Sequence, residues 1–266
     1  MRSILLGALW GDVCGAPYEF HPQRDAAQVD LNHPARAFTD DSVLTLAVAK
    51  AIIEKRPYRD AIFELACQYP TRGFGGRFYR QWIQAREPVP YGSFGNGAAM
   101  RVSPVAWAFH TVGDVLCEAE ASAACSHNHP EAIAAAQATA LAIFLARKGQ
   151  DQEEIREALE VRFNYTFPET LEALREESAQ CGFDATYRAV PQAIAAFLLT
   201  DSFEACLRQT IALGGDADTQ AAISCAIAEA YYGTEESLSA RLRPFFPPPL
   251  LHILDAFSAR FAVGRD

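Results

Sequence analysis

Apolar residues recur at helical spacing along nearly the whole chain, and the alternating pattern of a half-buried strand is hard to find. Proline and glycine residues fall between the apolar runs and mark their ends. The pattern predicts helices over residues 3–15, 42–55, 58–69, 76–86, 98–109, 113–124, 130–147, 151–160, 168–179, 190–199, 203–212, 219–232 and 249–261. We therefore expect an all-α protein that forms one compact domain over residues 1–266, without a linker or an internal repeat.

Local signals predict how some of these helices begin and pack. Glycines at positions 7, 11 and 15 share one face of the first helix, where another helix could approach closely. The helix over residues 203–212 is expected to begin at Asp201 as its N-cap, with Glu204 as the matching acid of a capping box. The stretch 150–180 is the most charged part of the chain and is expected to form a solvated surface.

The composition narrows the classes of function. Half of the 266 residues (50%) are hydrophobic, and the net charge of −10 gives no general attraction for nucleic acid or anionic membranes. A local basic pocket could still hold a phosphate, so the charge argues only against extended polyanions. No apolar run approaches the roughly 18 residues of a membrane span. We expect the N-terminal apolar segment to be a core helix rather than a signal peptide, because Asp12 interrupts it.

The cysteines indicate a reducing environment. Their number is odd, no CxxC motif occurs, and most of them stand within apolar runs. They are Cys14, Cys67, Cys117, Cys125, Cys181, Cys206 and Cys225. We expect reduced, buried thiols and a cytoplasmic protein.

Two clusters of oxygen donors stand directly before apolar runs. Gly214-Gly215-Asp216-Ala217-Asp218-Thr219 precedes residues 221–232, and Thr39-Asp40-Asp41-Ser42 precedes residues 43–53. Thr39 or Asp216 could simply cap a helix. One threonine and one aspartate would suffice for capping, however, and four crowded carboxylates would repel one another without cations. Oxygen donors without clustered cysteine or histidine favour Mg²⁺, Mn²⁺ or Ca²⁺ over Zn²⁺.

Two further acids are unexplained by packing. Asp12 lies in the middle of an apolar helix and needs a partner, because burying an unpaired charge is costly. Glu19 lies just past this helix in a turn bounded by Pro17, where it can point into a cleft.

A glycine-rich loop and a histidine pair complete the candidate motifs. The loop over residues 91–101 leads into a helix and can cradle a phosphate with its backbone N–H groups, or it is an ordinary flexible turn. It matches neither a Walker A loop nor a Rossmann fingerprint. His127 and His129 are two positions apart, and such a pair could bind a metal ion. We favour His127 as a polar ligand contact, with Pro130 and Glu131 as first-turn helix residues.

Taken together and in this order, these stretches resemble the ADP-ribosylglycohydrolase family over about residues 4–233. The motifs are Gly11-Asp12…Glu19, Thr39-Asp40-Asp41-Ser42, Gly95-Asn96-Gly97-Ala98-Ala99-Met100-Arg101, Ser126-His127-Asn128-His129-Pro130-Glu131 and Gly214 to Thr219. The resemblance implies a compact orthogonal bundle of helices, in a short bacterial form, with a centre of two Mg²⁺ ions (or Mn²⁺). Ser42 and Gln220 depart from the residues frequent in the family, but no ligand position is lost.

The resemblance also implies roles for individual residues. The implied metal ligands, of which one aspartate would bridge, are Thr39, Asp40, Asp41, Asp216, Asp218 and Thr219. The implied catalytic residues are Glu19 and Asp218. The implied ADP-ribose-binding residues are Gly92, Ser93, Phe94, Gly95, Asn96, Gly97 and His127. Phe94 would stack on a ring or pack against ribose, and Arg101 is expected to support the loop rather than to touch phosphate.

The function implied is hydrolysis of the glycosidic bond of an ADP-ribosyl group attached to a protein, for example at arginine or serine. Two alternatives stay open, namely hydrolysis of a free derivative such as O-acetyl-ADP-ribose, and a non-catalytic ADP-ribose-binding or structural protein on the same fold. The expected partners are ADP-ribosylated proteins or small ADP-ribose derivatives. We expect a monomer that binds neither extended nucleic acid nor membranes.

Overall fold

The computed structural model describes residues 3–262 and confirms the all-α prediction. The helices are α1 (Leu6–Gly15), α2 (Asp40–Glu54), α3 (Tyr58–Gln68), α4 (Gly76–Phe78), α5 (Ser103–Ala108), α6 (Val112–Ala124), α7 (Pro130–Arg147), α8 (Gln152–Phe163), α9 (Leu171–Cys181), α10 (Ala189–Leu198), α11 (Phe203–Leu213), α12 (Ala217–Tyr232), α13 (Leu238–Leu242) and α14 (Pro248–Phe261). Within these described residues the β-pairing is limited to one isolated antiparallel bridge, between Gly95 and Thr186.

The structure departs from the predicted helices mainly around the glycine-rich loop. The predicted helix 98–109 is instead a short 3₁₀ turn, Asn96–Ala98, followed by the six-residue α5. The predicted helix 76–86 begins as α4 and continues as a π-helical segment, Tyr79–Gln84. The short α13 was not predicted from the periodicity.

Helix α12 lies at the centre of the molecule, and its residues are buried continuously from Ala217 to Ala230. Helix α1 packs against it through the predicted glycine face. A Cβ atom at Gly7 would overlap Cys225, at Gly11 it would overlap Ala221, and at Gly15 it would lie 2.5 Å from the Cα atom of Asp218. The two backbones therefore touch, which only glycine permits.

The residue numbers run in opposite directions along this contact, so the two helices are antiparallel. Glu229 near the end of α12 accepts hydrogen bonds from the backbone N–H groups of Leu6 (3.2 Å) and Gly7 (2.8 Å), which are free at the start of α1. At the opposite end, the turn that carries Glu19 meets the start of α12, which carries Asp218. The glycine face thus brings two distant sequence motifs to one place.

Two local predictions were wrong. Ser202, not Asp201, is the N-cap of α11, because its hydroxyl accepts the hydrogen bond from the N–H of Ala205 at 3.3 Å. Glu204 forms no capping box there and instead pairs with Arg208 at 2.7 Å. All seven cysteines lie in the described part of the chain and are free, but they are not all buried: Cys117 and Cys181 are exposed on the outer sides of their helices.

Candidate active site

A pocket of about 720 Å³ opens where α1, α2 and α12 meet. Its inner end is acidic and is lined by Glu19, Thr39, Asp40, Asp41, Asp216, Asp218 and Thr219. Its other end is formed by the glycine-rich loop and a buried histidine, namely Ser93, Phe94, Gly95, Asn96, Gly97 and His127. The structure thus brings together every site residue predicted from the sequence except Gly92. That glycine lies outside the lining, where its N–H donates to Asn128 at 2.6 Å.

The carboxylates at the inner end form two compact groups. One consists of Asp12, Asp41 and Asp218, and the other of Glu19, Asp216 and Asp218; in each group one oxygen per residue lies within 4.8 Å of the others. Asp218 belongs to both groups. Asp40 lines the same pocket but is outside both groups.

Asp12 has a different role from the other acids, and sequence reasoning identified only its need for a partner. Its carboxylate accepts hydrogen bonds from the N–H (3.0 Å) and hydroxyl (2.7 Å) of Thr39, and from the N–H (3.1 Å) and hydroxyl of Ser42. These donors belong to the first turn of α2. Asp12 therefore fixes the start of α2, and with it Asp41, against α1.

The carboxylates of the acidic end lack partners within the described part of the protein that would offset their charge. One oxygen of Asp41, Oδ1, is buried without a hydrogen-bond partner among the described residues. Burial, and then the charges of neighbouring carboxylates, raises the pKa values of Asp40, Asp41 and Asp218 well above their usual range. Burial also raises the pKa of Asp12 to about 6, against its hydrogen bonds. Buried oxygens that repel one another and lack donors are the ligands that hard divalent cations prefer.

Capping accounts for only part of these motifs. Thr39 is the N-cap of α2 and accepts from the N–H of Asp41 at 3.3 Å. Asp216 is at the N-cap position of α12 but caps nothing with its side chain. Instead, its carboxylate accepts a hydrogen bond of 2.7 Å from the side-chain amide of Asn96. This bond joins the glycine-rich loop to the acidic end.

Glu19 lies at the edge of the acidic end and is partly exposed to the pocket. Burial, and then the charges of Asp216 and Asp12, raises its pKa to about 7. A carboxyl group with such a pKa, open to a pocket, can both hold and release a proton near neutral pH.

The glycine-rich loop is held from behind by a segment that sequence reasoning missed. The backbone of residues 183–188 pairs with it: the N–H of Asn96 donates to Ala185 at 3.0 Å, and the N–H of Tyr187 donates to Phe94 at 2.9 Å. No apolar pattern marks this segment, and its position depends on contacts between parts of the chain about 90 residues apart. Its alanine and threonine form part of the pocket wall.

A second missed wall is formed by residues 73–78. Gly73 lies beside Asp40, whose N–H donates to the carbonyl of Arg72 at 2.6 Å. Among the described residues that line the pocket, Arg77 is the one lysine or arginine. Its guanidinium lies 4.8 Å from the centre of the Tyr91 ring. The composition Gly73-Phe74-Gly75-Gly76 could have suggested a loop against a ligand, but nothing in it indicated which one.

Aromatic rings stand at the mouth of the pocket. Phe94 is 53% exposed and contacts the ring of His129 edge-on, while Phe20 (71% exposed) stacks on Phe183 with 5.9 Å between ring centroids. His129 lies outside the pocket lining, against Tyr187. Of the two histidines, the structure therefore places only His127 in the pocket, as the sequence interpretation favoured.

Several known proteins are similar to this chain in sequence. The model of the ADP-ribosylglycohydrolase family matches residues 1–244. The chain is 28% identical to the ADP-ribosylhydrolase ARH3 of Bos taurus, over 88% of this chain and 85% of the relative. It is also 28% identical to the ADP-ribosyl-[dinitrogen reductase] glycohydrolase of Rhodospirillum rubrum, over 88% of this chain and 86% of that protein.

The fold is shared with a solved structure, described as an ADP-ribosylglycohydrolase-related protein complex. The TM-score is 0.69 at 23% identity, over 97% of this chain and 95% of that one. Among the described helices, none is both long and apolar enough to cross a bilayer. The fold agrees with the expected orthogonal bundle, and the family match covers most of the sequence. The chain belongs to the ADP-ribosylglycohydrolase family.

Proposed function

We propose that this protein is a divalent-metal-dependent hydrolase that cleaves the glycosidic bond at C1″ of an ADP-ribosyl group and releases ADP-ribose. The observation that carries the proposal is the convergence of two distant acid clusters and Glu19 at one end of a pocket whose other end is a glycine-rich loop. Family membership and the two named relatives support the same class of reaction.

The acidic end suits two hard cations such as Mg²⁺ or Mn²⁺. One ion would be held by Thr39 and by Asp41, whose buried Oδ1 has no hydrogen-bond partner among the described residues. The other ion would be held by Asp216 and Thr219. Asp218 would contact both ions. Asp40 would complete the set from the pocket wall. Bound cations would supply positive charge that orients the ribose hydroxyls and acidifies a water. Asp12 would hold the ligands in place through Thr39 and Ser42 rather than bind directly, since donors already surround its carboxylate.

Glu19 is the proposed proton carrier. It belongs to the second carboxylate group and is open to the pocket, so it can exchange a proton with the attacking water or with the leaving atom. Cleavage through an oxocarbenium-like transition state needs such a group, because the leaving atom departs more easily when it is protonated.

The other end of the pocket is the proposed site for the nucleotide. Residues 93–97 line the pocket and include two glycines, which lets phosphate oxygens approach the backbone there. The N–H groups of Gly95 and Asn96 already donate to Ser93 and Ala185. Phe94 offers an exposed ring for stacking on a base or packing against ribose. Asn96 couples the two ends, because the same loop that would hold the diphosphate also orients Asp216.

The substrate assay separates the linkages. The purified protein would be incubated with arginine-linked, serine-linked and O-acetyl ADP-ribose, each with Mg²⁺ or with EDTA. We expect Mg²⁺-dependent release of ADP-ribose from at least one protein-linked substrate. Release from the acetylated compound alone would assign the reaction to free derivatives. If all three stay intact while ADP-ribose still binds, the protein is a binding protein and the proposal is wrong.

A further inference from the structure

A chain of hydrogen bonds leads from a buried arginine to the pocket histidine. Arg101 has no exposed surface, and its Nη2 donates to the hydroxyl of Ser126 at 2.8 Å and to the carbonyl of Ser122 at 2.7 Å. The Ser126 hydroxyl in turn lies 2.8 Å from Nδ1 of His127. Ser126 is fully buried as well.

The proton positions in this chain follow from the inventory of donors and acceptors. An arginine can only donate, so the Ser126 oxygen accepts from Arg101. If Nδ1 of His127 also donated to this oxygen, the hydroxyl proton of Ser126 would be left with only the weakly accepting sulfur of Cys125, which costs free energy. If the hydroxyl donates to Nδ1, both the Ser126 hydroxyl and Nδ1 are satisfied. Nδ1 is then unprotonated, and the ring proton of neutral His127 is on Nε2.

The protonated nitrogen faces the pocket. A Cβ atom at Gly97 would lie 2.9 Å from Nε2 of His127, and a Cβ atom at Gly95 would lie 3.5 Å from it. Only glycine leaves this nitrogen accessible along the loop. His127 is 6% exposed, and Nε2 has no hydrogen-bond partner among the described residues. The side chain is thus mostly buried, while its Nε2 faces the pocket, where a ligand can supply the acceptor.

Arg101 also adds a buried positive charge behind this end of the pocket. It forms no ion pair within the described residues, and its Nε and Nη1 atoms are buried without hydrogen-bond partners. Burial, and then the charge of Arg101, lowers the pKa of His127 well below its usual range, so the ring stays neutral. A buried cation behind a neutral donor favours an anion at the donor, because the charge is weakly screened there.

We propose that Arg101 and Ser126 are positioning residues that hold His127 in the Nε2-protonated tautomer, so that it donates a hydrogen bond to an anionic oxygen of the bound nucleotide's diphosphate. The identity of the ligand rests on the proposed function, whereas the tautomer does not.

The tautomer is measured directly on the free wild-type protein. Long-range ¹H–¹⁵N correlation spectra of histidine-labelled protein distinguish a protonated from an unprotonated ring nitrogen. We expect the His127 spectrum to show an unprotonated Nδ1 and a protonated Nε2 at pH 7. A protonated Nδ1 in the wild type would overturn the proposal, and this result needs no variant to fold.

A matched pair of serine variants tests the consequence. Ser126→Ala removes the hydroxyl that fixes the ring, and Ser122→Ala removes an equally buried hydroxyl, bonded to the carbonyl of Ala119, that does not touch His127. With Mg²⁺ present, Ser126→Ala should add the Nδ1-protonated form to the spectrum and weaken ADP-ribose binding by about tenfold or more. Adenosine, which lacks the diphosphate, should bind about equally to both variants.

The outcomes separate this inference from the proposed function. If Ser126→Ala keeps the wild-type tautomer, or binds ADP-ribose as tightly as Ser122→Ala does, the positioning role is wrong. If the wild type shows the expected tautomer but hydrolyses no ADP-ribosyl substrate, the positioning role stands and the proposed reaction fails.

Discussion

The two ends of the pocket are suited to ligands of opposite charge. The acidic end is made of side chains at the starts of α2 and α12, and it crowds carboxylates that burial forces toward protonation. The glycine-rich end is made of backbone, one neutral histidine and one buried cation, Arg101. The first end needs cations to be stable when charged, whereas the second is ready to receive an anion. A substrate with a ribose and a diphosphate matches both ends at once.

The largest expected effect comes from removing the carboxylate shared by both acid groups. Asp218→Asn should lower hydrolysis by at least about a hundredfold and weaken Mn²⁺ binding, because both proposed cations lose a ligand. ADP-ribose binding at the other end should persist. Steady-state kinetics and Mn²⁺ titration by electron paramagnetic resonance check this. Asp255→Asn, which removes a surface carboxylate paired with Arg243, is the control and should keep full activity.

Glu19→Gln separates proton transfer from metal binding within the acidic end. It keeps the shape but removes the proton carrier, so turnover should fall by about 10²–10⁴-fold while Mn²⁺ and ADP-ribose still bind. Single-turnover kinetics and calorimetric titration with ADP-ribose provide the two readouts. Unchanged turnover would exclude the role assigned to Glu19, and loss of binding would make it a ligand contact instead.

Asn96→Ala breaks the bond between the two ends. Asp216 then loses its amide donor, and the glycine-rich loop loses its tie to the cations. We expect Mn²⁺ affinity to fall about tenfold. We also expect this bond to couple the binding of Mn²⁺ to that of ADP-ribose in the wild type, and the variant to lose that coupling. Asn128→Ala is the contrast, since this side chain holds only Gly92. It should leave Mn²⁺ affinity unchanged, and equal losses in both variants would contradict the coupling.

The smallest effect concerns the stability of the metal-free protein. The pKa of Asp12 is raised to about 6 from an ordinary 3.8, and those of Asp41 and Asp218 are raised well above it, so the folded state binds protons more tightly than the unfolded chain. Its free energy of unfolding should therefore fall as the pH rises from about 4 through about 6 and beyond.

Thermal melts check this sign. In EDTA the melting temperature should be lower at pH 7.5 than at pH 5, and saturating Mg²⁺ should remove most of the difference by neutralising the carboxylates. Asp218→Asn in EDTA should show a smaller decline than the wild type. A melting temperature in EDTA that rises with pH would contradict the assigned burial of these charges.

The acidic end was predictable from the sequence because its signals are local. Two carboxylates and a threonine before an apolar run indicated a helix start at each cluster. The helices, predicted over residues 42–55 and 219–232, begin at Asp40 and Ala217, within the clusters. The glycine face of α1 predicted a close helix contact, and the contact with α12 brings Glu19 to these starts. The assignment of ligand and catalytic roles came from the family resemblance and stays a prediction.

The glycine-rich end was less predictable because long-range pairing builds it. Residues 183–188 carry no motif, yet their backbone holds Phe94 and Asn96 in place. The expected helix over residues 98–109 is interrupted at residues 99–102, where Arg101 is fully buried. Periodicity assigns the apolar residues here to a helix, but it cannot show that a buried guanidinium binds Ser122 and Ser126.

The contrast between the two ends is tested most directly by anomalous diffraction from crystals grown with Mn²⁺ and ADP-ribose. We expect two manganese peaks, one beside Asp41 and one beside Asp216, with Asp218 between them. The ribose should lie against the metals and the diphosphate against residues 93–97 and His127. Manganese bound elsewhere, or a diphosphate on the acidic side with the ribose at the glycine-rich loop, would contradict it.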